Sequence, residues 1–272
     1  MKRVLATLAA IALLGTAIAA AVVGGGAYDI SATDQHLAPT YWAIDTASRQ
    51  SVRLRARGIA VPPLDRAEQV ERGLSLFREH CVMCHGAPGV APGLFALGMT
   101  PAPANLVDTA RNWSSAELYW TVKNGFKMTG MPAWEFRMPD EDLWAIVAFV
   151  RTLPTLSPQE YQRRAAAAPR AELREESPRS PDARRGEAAI HQHACTTCHV
   201  IPGIVGANKP VGPPLEGMAR RAVIAGIIPN NEANMVRWLR EPKAVSPESA
   251  MPDLGITERD ARDIAAYLST LR

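Results

Sequence analysis

Two short runs, Cys81-Val82-Met83-Cys84-His85 and Cys195-Thr196-Thr197-Cys198-His199, decide how this chain is read, and they hold all four of its cysteines. In each, two residues separate the cysteines and a histidine follows at once. A zinc ribbon also pairs its cysteines, but its second pair comes after roughly 15 to 20 residues; here more than a hundred intervene. Structural disulfides would suit an exported protein. Neither pattern explains the adjoining histidine in both copies.

Thiols at this spacing reach one edge of a porphyrin and add to its vinyl groups, and the neighbouring imidazole then falls on the iron. Covalent capture suits a cofactor that must cycle valence without being lost. The motif therefore predicts two haem c groups, attached through Cys81 with Cys84 and Cys195 with Cys198, with His85 and His199 as axial ligands. The sixth ligand separates a carrier from an enzyme, since a thioether closes the iron and raises its potential while an open site admits peroxide or oxygen. Met131 in Thr-Gly-Met-Pro and Met251 in Ser-Ala-Met-Pro stand in matching places, each shortly before the last helix of its half. They are the expected ligands. Met128 is the competitor, while core packing is expected for Met83, Met99, Met138, Met218 and Met235. His36, His80, His191 and His193 are read as packed or exposed imidazoles in unmatched positions.

Outward from the motifs, the chain divides into five stretches. Residues 1–26 open with Lys2 and Arg3 and continue as an unbroken apolar run from Val4 to Val23. That run exceeds the 7 to 15 residues of a signal peptide and approaches the roughly 20 of a spanning helix. Its length favours a retained anchor, while Ala17, Ala19, Ala20 and Ala21 offer small residues for cleavage. Positive charge kept inside puts everything beyond it in the periplasm of a bacterial inner membrane. Residues 27–63 form a juxtamembrane segment, with a basic helix expected over Trp42–Arg57. It is either a solvated lead-in or a docking element for an integral partner or lipid.

Residues 64–156 and 182–272 repeat one order: a helix ending in the motif, a Gly- and Pro-rich loop, a helix, and a terminal helix. The helices are expected at 65–80, 114–124 and from 140 to Pro154, then at 182–194, 232–240 and 257–271, with Thr257 and Asp260 resembling a capping box. Residues 157–181, rich in Pro, Ala, Arg and Glu, read as a linker in which Pro158, Pro169 and Pro178 break any long helix. The fold class is all-α. Apolar residues at 47% and charged residues at 21% suit globular domains, and a net charge of +3 without aromatic interleaving gives no sign of nucleic acid as a partner.

The two halves resemble class I cytochrome c domains. The resemblance rests on Gly73 with Phe77 crossing Ile146 with Phe149, on Gly186 crossing Ile264 with Tyr267, and on Val211-Gly-Pro-Pro-Leu-Glu-Gly. Ile190 replaces the usual aromatic, a departure expected to loosen the second crossing. The resemblance implies that the Pro213 carbonyl accepts a bond from His199; the first half lacks that loop pattern, and Pro103 in Pro-Ala-Asn-Leu is taken as its counterpart. It further implies a membrane-anchored dihaem electron carrier whose partners are redox proteins: a terminal oxidase, a dehydrogenase or a quinol-oxidising complex. A dehydrogenase subunit and a dihaem peroxidase are the alternatives.

Overall fold

The computed structural model describes residues 1–173, 179–206 and 211–272. Helix α1, Lys2–Gly24, has no buried residue. At 1.5 Å per residue it is about 35 Å long, enough to cross the roughly 30 Å core of a bilayer. Helix α2, Ala38–Ala56, begins earlier than the sequence predicts because Pro39 sits in its first turn, where a missing N–H costs nothing. Val52 and Ala56 are buried, and Arg53 reaches Glu117 at 3.7 Å. Upstream, the Thr100 hydroxyl donates to the Ala32 carbonyl at 2.8 Å, tying the juxtamembrane chain to the first haem-motif domain.

That domain is framed by α3, Ala67–His80, short α4, Val82–His85, α5, Leu106–Asn112, α6, Ser115–Asn124, and α7, Asp140–Val150. Helices α3 and α7 cross so closely at Gly73 that a Cβ there would collide with the Ala145 carbonyl oxygen and lie 2.8 Å from Phe149 Cβ. Beside the crossing the Phe77 and Phe149 rings meet at 5.1 Å. Ser114 and Glu117 close a full capping box on α6. Helix α5 falls within the expected loop; its signal is Asn105, whose side chain accepts from the Val107 and Asp108 amides.

The expected linker, 157–181, needs correcting. Its first part is helix α8, Pro158–Ala167, with Ser157 as cap and Pro158 in the first turn, so this proline starts a helix where a break was expected. Tyr161 is buried in the first core, and Arg78 donates to the carbonyls of Ala165, Ala168 and Pro169. Arg72 adds a bond to the Glu172 carbonyl. Pro178 lies outside the described residues.

The second domain comprises α9, Ala183–Gln192, α10, Glu232–Arg240, short α11, Pro242–Val245, and α12, Glu258–Leu268. A Cβ on Gly186 would collide with the Asp263 carbonyl oxygen and lie 3.0 Å from Tyr267 Cβ, so the close crossing recurs. The looseness expected from Ile190 is not seen: the backbones approach at Gly186 about as closely as at Gly73, and Ile190 is 1% exposed within the second core. A two-stranded ladder, Val223–Ile224 with Ile228–Pro229, lies within a stretch read as loop. It turns through Ala225 and Gly226, both at positive φ. Thr257 caps α12 by accepting from the Asp260 amide, while the Asp260 carboxylate lies beside His193.

Buried carboxylates lock both crossings. Arg72 grips Asp142 with two bonds, at 3.0 and 2.6 Å, and Arg185 grips Asp263 at 3.0 and 3.2 Å with Arg179 adding a third contact at 2.9 Å. Burial alone would raise the Asp263 carboxyl, but bonds from Arg185, Arg179 and the Asp182 amide hold it below its ordinary value.

Gly73→Ala is expected to destabilise the first domain by about 3 kcal/mol or more, and Gly186→Ala the second, each read by thermal unfolding. A lowered carboxyl stabilises above its unfolded pKa and loses that contribution as pH falls through the folded value. Asp263→Asn should therefore cost about 3 kcal/mol at neutral pH, and its gap to wild type should close below the ordinary value of 3.8.

Candidate haem sites

Each motif winds into one helical turn. The His85 amide donates to the Cys81 carbonyl at 3.0 Å, and the His199 amide to the Cys195 carbonyl at 2.9 Å. Positions three and four apart share a helix face, so both thiols and the imidazole come to one side. No disulfide joins the four cysteines. Burial pushes the Cys81 thiol up to about 12 and the Cys195 thiol up to about 11, keeping both protonated.

The imidazoles are held by carbonyls. His85 Nδ1 lies 2.8 Å from the Ala104 oxygen, and His199 Nδ1 lies 2.7 Å from the Pro213 oxygen. A carbonyl can only accept, so Nδ1 carries the proton in both rings and Nε2 keeps its lone pair for a metal. Burial lowers the His85 pKa, which also favours the neutral ring. In the first domain the acceptor is Ala104, one residue beyond the expected Pro103; it is the carbonyl just before Asn105, which caps α5. In the second domain the Gly212 amide donates to the Cys198 carbonyl at 2.8 Å, and a Cβ on Gly212 would stand 2.7 Å from His199 Cε1. Glycine here lets the backbone lie against the ring.

The two methionine loops share a bond that was not read from the sequence. The Met131 amide donates to Thr129 Oγ1, and the Met251 amide to Ser249 Oγ, both at 3.1 Å. The readable signal is a hydroxyl residue two positions before each Met-Pro. Met131 is also fixed by its carbonyl, which accepts from the Phe126 amide at 3.2 Å, and both methionines are half-buried. Met128 is 99% exposed at positive φ. Met138, Met218 and Met235 lie in the cores. Core packing does not describe Met83, 49% exposed, nor Met99, half-buried beside Gly130 on the Met131 loop.

The remaining histidines are packed or exposed. His36 bonds the Tyr28 hydroxyl, His191 is exposed, His80 lies against the Trp134 ring, and buried His193 Nε2 faces Asp260 Oδ2 at 3.3 Å. Contrary to the expectation of unmatched positions, His80 and His193 do match, each standing seven residues after its crossing glycine. The second domain inserts Ala194, at φ +55°, before its first cysteine, which hides the match in a motif-based alignment.

With free thiol pairs, oriented imidazoles and a methionine loop in each domain, the residues fit covalent haem. Residues 68–150 match the family described as cytochrome c oxidase, cbb3-type, subunit III, and residues 183–272 match the cytochrome c family. This chain is a tandem of two cytochrome c domains. Two such domains imply two covalently bound haem c groups, consistent with a dihaem class I cytochrome related to oxidase-associated cytochromes. It is similar to "Cytochrome c oxidase subunit 2" of Alkalihalophilus pseudofirmus, 31% identical over 98 residues, covering 36% of this chain and 28% of the relative. The protein of the same description from Bacillus sp. strain PS3 is 33% identical over 96 residues, covering 34% and 27%. The "Cbb3-type cytochrome c oxidase subunit CcoP" of Azospirillum brasilense is 33% identical over 91 residues, covering 32% and 29%. The chain thus spans little more than a quarter of the length of these relatives.

Gly212→Ala in this dihaem cytochrome should tilt the His199 ring and weaken its bond to Pro213. A loss of about 1 kcal/mol corresponds to a shift on the order of 40 mV for a one-electron couple. Spectroelectrochemical titration should show one haem moved and the other unchanged.

Proposed function

We propose that this cytochrome passes single electrons between a membrane donor and a terminal oxidase on the periplasmic side of a bacterial inner membrane. In this reading Cys81 with Cys84 and Cys195 with Cys198 form the thioether bonds, and His85 with Met131 and His199 with Met251 are the axial ligand pairs. Haem supplies an iron that changes valence by one. The chain's own residues keep it in place, keep both of its faces filled, and fix the proximal ring through Ala104 or Pro213.

The observation that carries the proposal is the equal construction of the two sites. Each has an imidazole whose Nδ1 is committed to a carbonyl and a Met-Pro loop braced by the same amide-to-hydroxyl bond. A dihaem peroxidase needs one iron that opens, and a braced methionine on each site argues against it. The oxidase is favoured as partner because the relatives named above are oxidase subunits. Lys2 and Arg3 before α1 support the orientation.

Mass spectrometry of the mature protein should find two covalent haems. Met131→Ala and Met251→Ala should each abolish the methionine-to-iron charge-transfer band of one haem and lower its potential, whereas Met128→Leu should leave both bands intact. Retention of both bands in either alanine variant would refute that ligand.

A further inference from the structure

The 3₁₀ turn Trp134–Phe136, just beyond the Met131 loop, touches both domains. Trp134 packs on the first core and lies against His80, ring centroids 5.4 Å apart, immediately before Cys81. Phe136 leaves its own domain and packs on the second core. Across the same boundary Arg259, its side chain 9% exposed, donates to the Glu135 carbonyl at 3.2 Å, and Arg137 donates to the Gln192 carbonyl at 3.4 Å.

These contacts land on both helices that frame the second site. Gln192 ends α9, three residues before Cys195, and Arg259 adjoins Asp260, whose carboxylate faces His193. The first-domain end of the contact is equally close to its site, since Ala133 is two residues from Met131 and its carbonyl accepts from Arg137 at 3.4 Å.

We propose that Trp134–Arg137 is an interdomain clamp, a positioning element that holds the two haem pockets at one fixed separation so that electrons cross between the domains within a single chain. The proposal rests on the electron-transfer reading above. The transfer it serves moves one electron, oxidising iron(II) in one domain as iron(III) in the other is reduced, with no bond or proton exchanged. Tunnelling falls steeply with distance, so a joint that wandered would set the rate by its own motion. Tandem domains move relative to one another unless their interface resists it. Here an aromatic side chain is handed across the boundary, and a nearly buried guanidinium that pairs with Asp260 in its own domain also takes an acceptor from the other.

The test uses the full, haem-loaded chain with spin labels on Arg111→Cys and Ala233→Cys, both exposed and in different domains. The four native thiols are consumed by haem, and the reduced low-spin irons are diamagnetic. Dipolar spectroscopy is expected to give one narrow distance distribution. Phe136→Ser combined with Arg259→Gln should at least double its width and slow electron equilibration between the haems after flash reduction by an order of magnitude, with both charge-transfer bands kept. Phe136→Leu should restore both. Because Phe136 touches a core, Arg137→Ala serves as the milder variant, expected to broaden the distances without altering second-domain unfolding. A wild-type distribution that is already broad, or one unchanged in the double variant, overturns the clamp; broadening without a change in rate overturns its positioning role. No equilibration in wild type would count against electron transfer itself, while the distances would still decide the clamp.

Discussion

Both domains depend on one constraint, the approach of two helix backbones at a glycine. At Gly73 and again at Gly186, the opposing carbonyl occupies the place a Cβ would need. The consequence reaches well past the contact. Each first helix ends in the Cys-x-x-Cys-His turn, and each terminal helix follows the methionine loop, so locking the crossing sets the imidazole turn and the thioether loop in one frame. Side-chain packing alone would leave that frame free to slide by the size of a methyl group. Backbone contact does not.

The same frame is stabilised by different chemistry in the two copies. In the first, an aromatic pair, Phe77 with Phe149, and a two-bond Arg72–Asp142 pair flank the crossing. The second has Ile190 where the aromatic would be, with Asp263 taking Arg185 and Arg179 and Asp260 facing His193. Buried carboxylates are tolerated only with such partners. The second crossing therefore sets an aliphatic side chain and a carboxylate with two arginine partners where the first has an aromatic pair and one arginine–carboxylate pair.

What the sequence made legible follows physical reach. The haem motifs, the crossing glycines, the Ser114 and Thr257 caps and the Met-Pro loops are local patterns, and each is where its local chemistry puts it. Features set by distant partners were not legible. Helix α8 exists because Tyr161 and the carbonyls after it find Phe149 and Arg78 on another part of the chain, which no count of prolines reveals. Ala104 replaces Pro103 as the His85 acceptor because the cap at Asn105 sets which carbonyl turns inward. The equivalence of His80 and His193 is masked by one inserted alanine when the halves are aligned on the haem motifs, and counting from the crossing glycines reveals it. Asn105 followed by Asp108 did announce α5, but the dense Gly and Pro around it drew attention to a loop.

The tether sets the order of the domains. Eight peptide steps separate the end of α1 at Gly24 from Ala32, which the Thr100 hydroxyl holds to the first domain. Fully extended, they span at most roughly 29 Å. If α1 crosses a bilayer, the loop around Thr100 therefore stays within that distance of the end of the helix, and the first haem site, whose His85 bonds Ala104 in the same stretch, stays near the membrane with it. The second domain has no such tether in the described residues; it joins through the linker and through Trp134–Arg137. With α1 in a bilayer, this short tether fixes the reach of the first site alone, an asymmetry that the matching construction of the two sites would not create by itself.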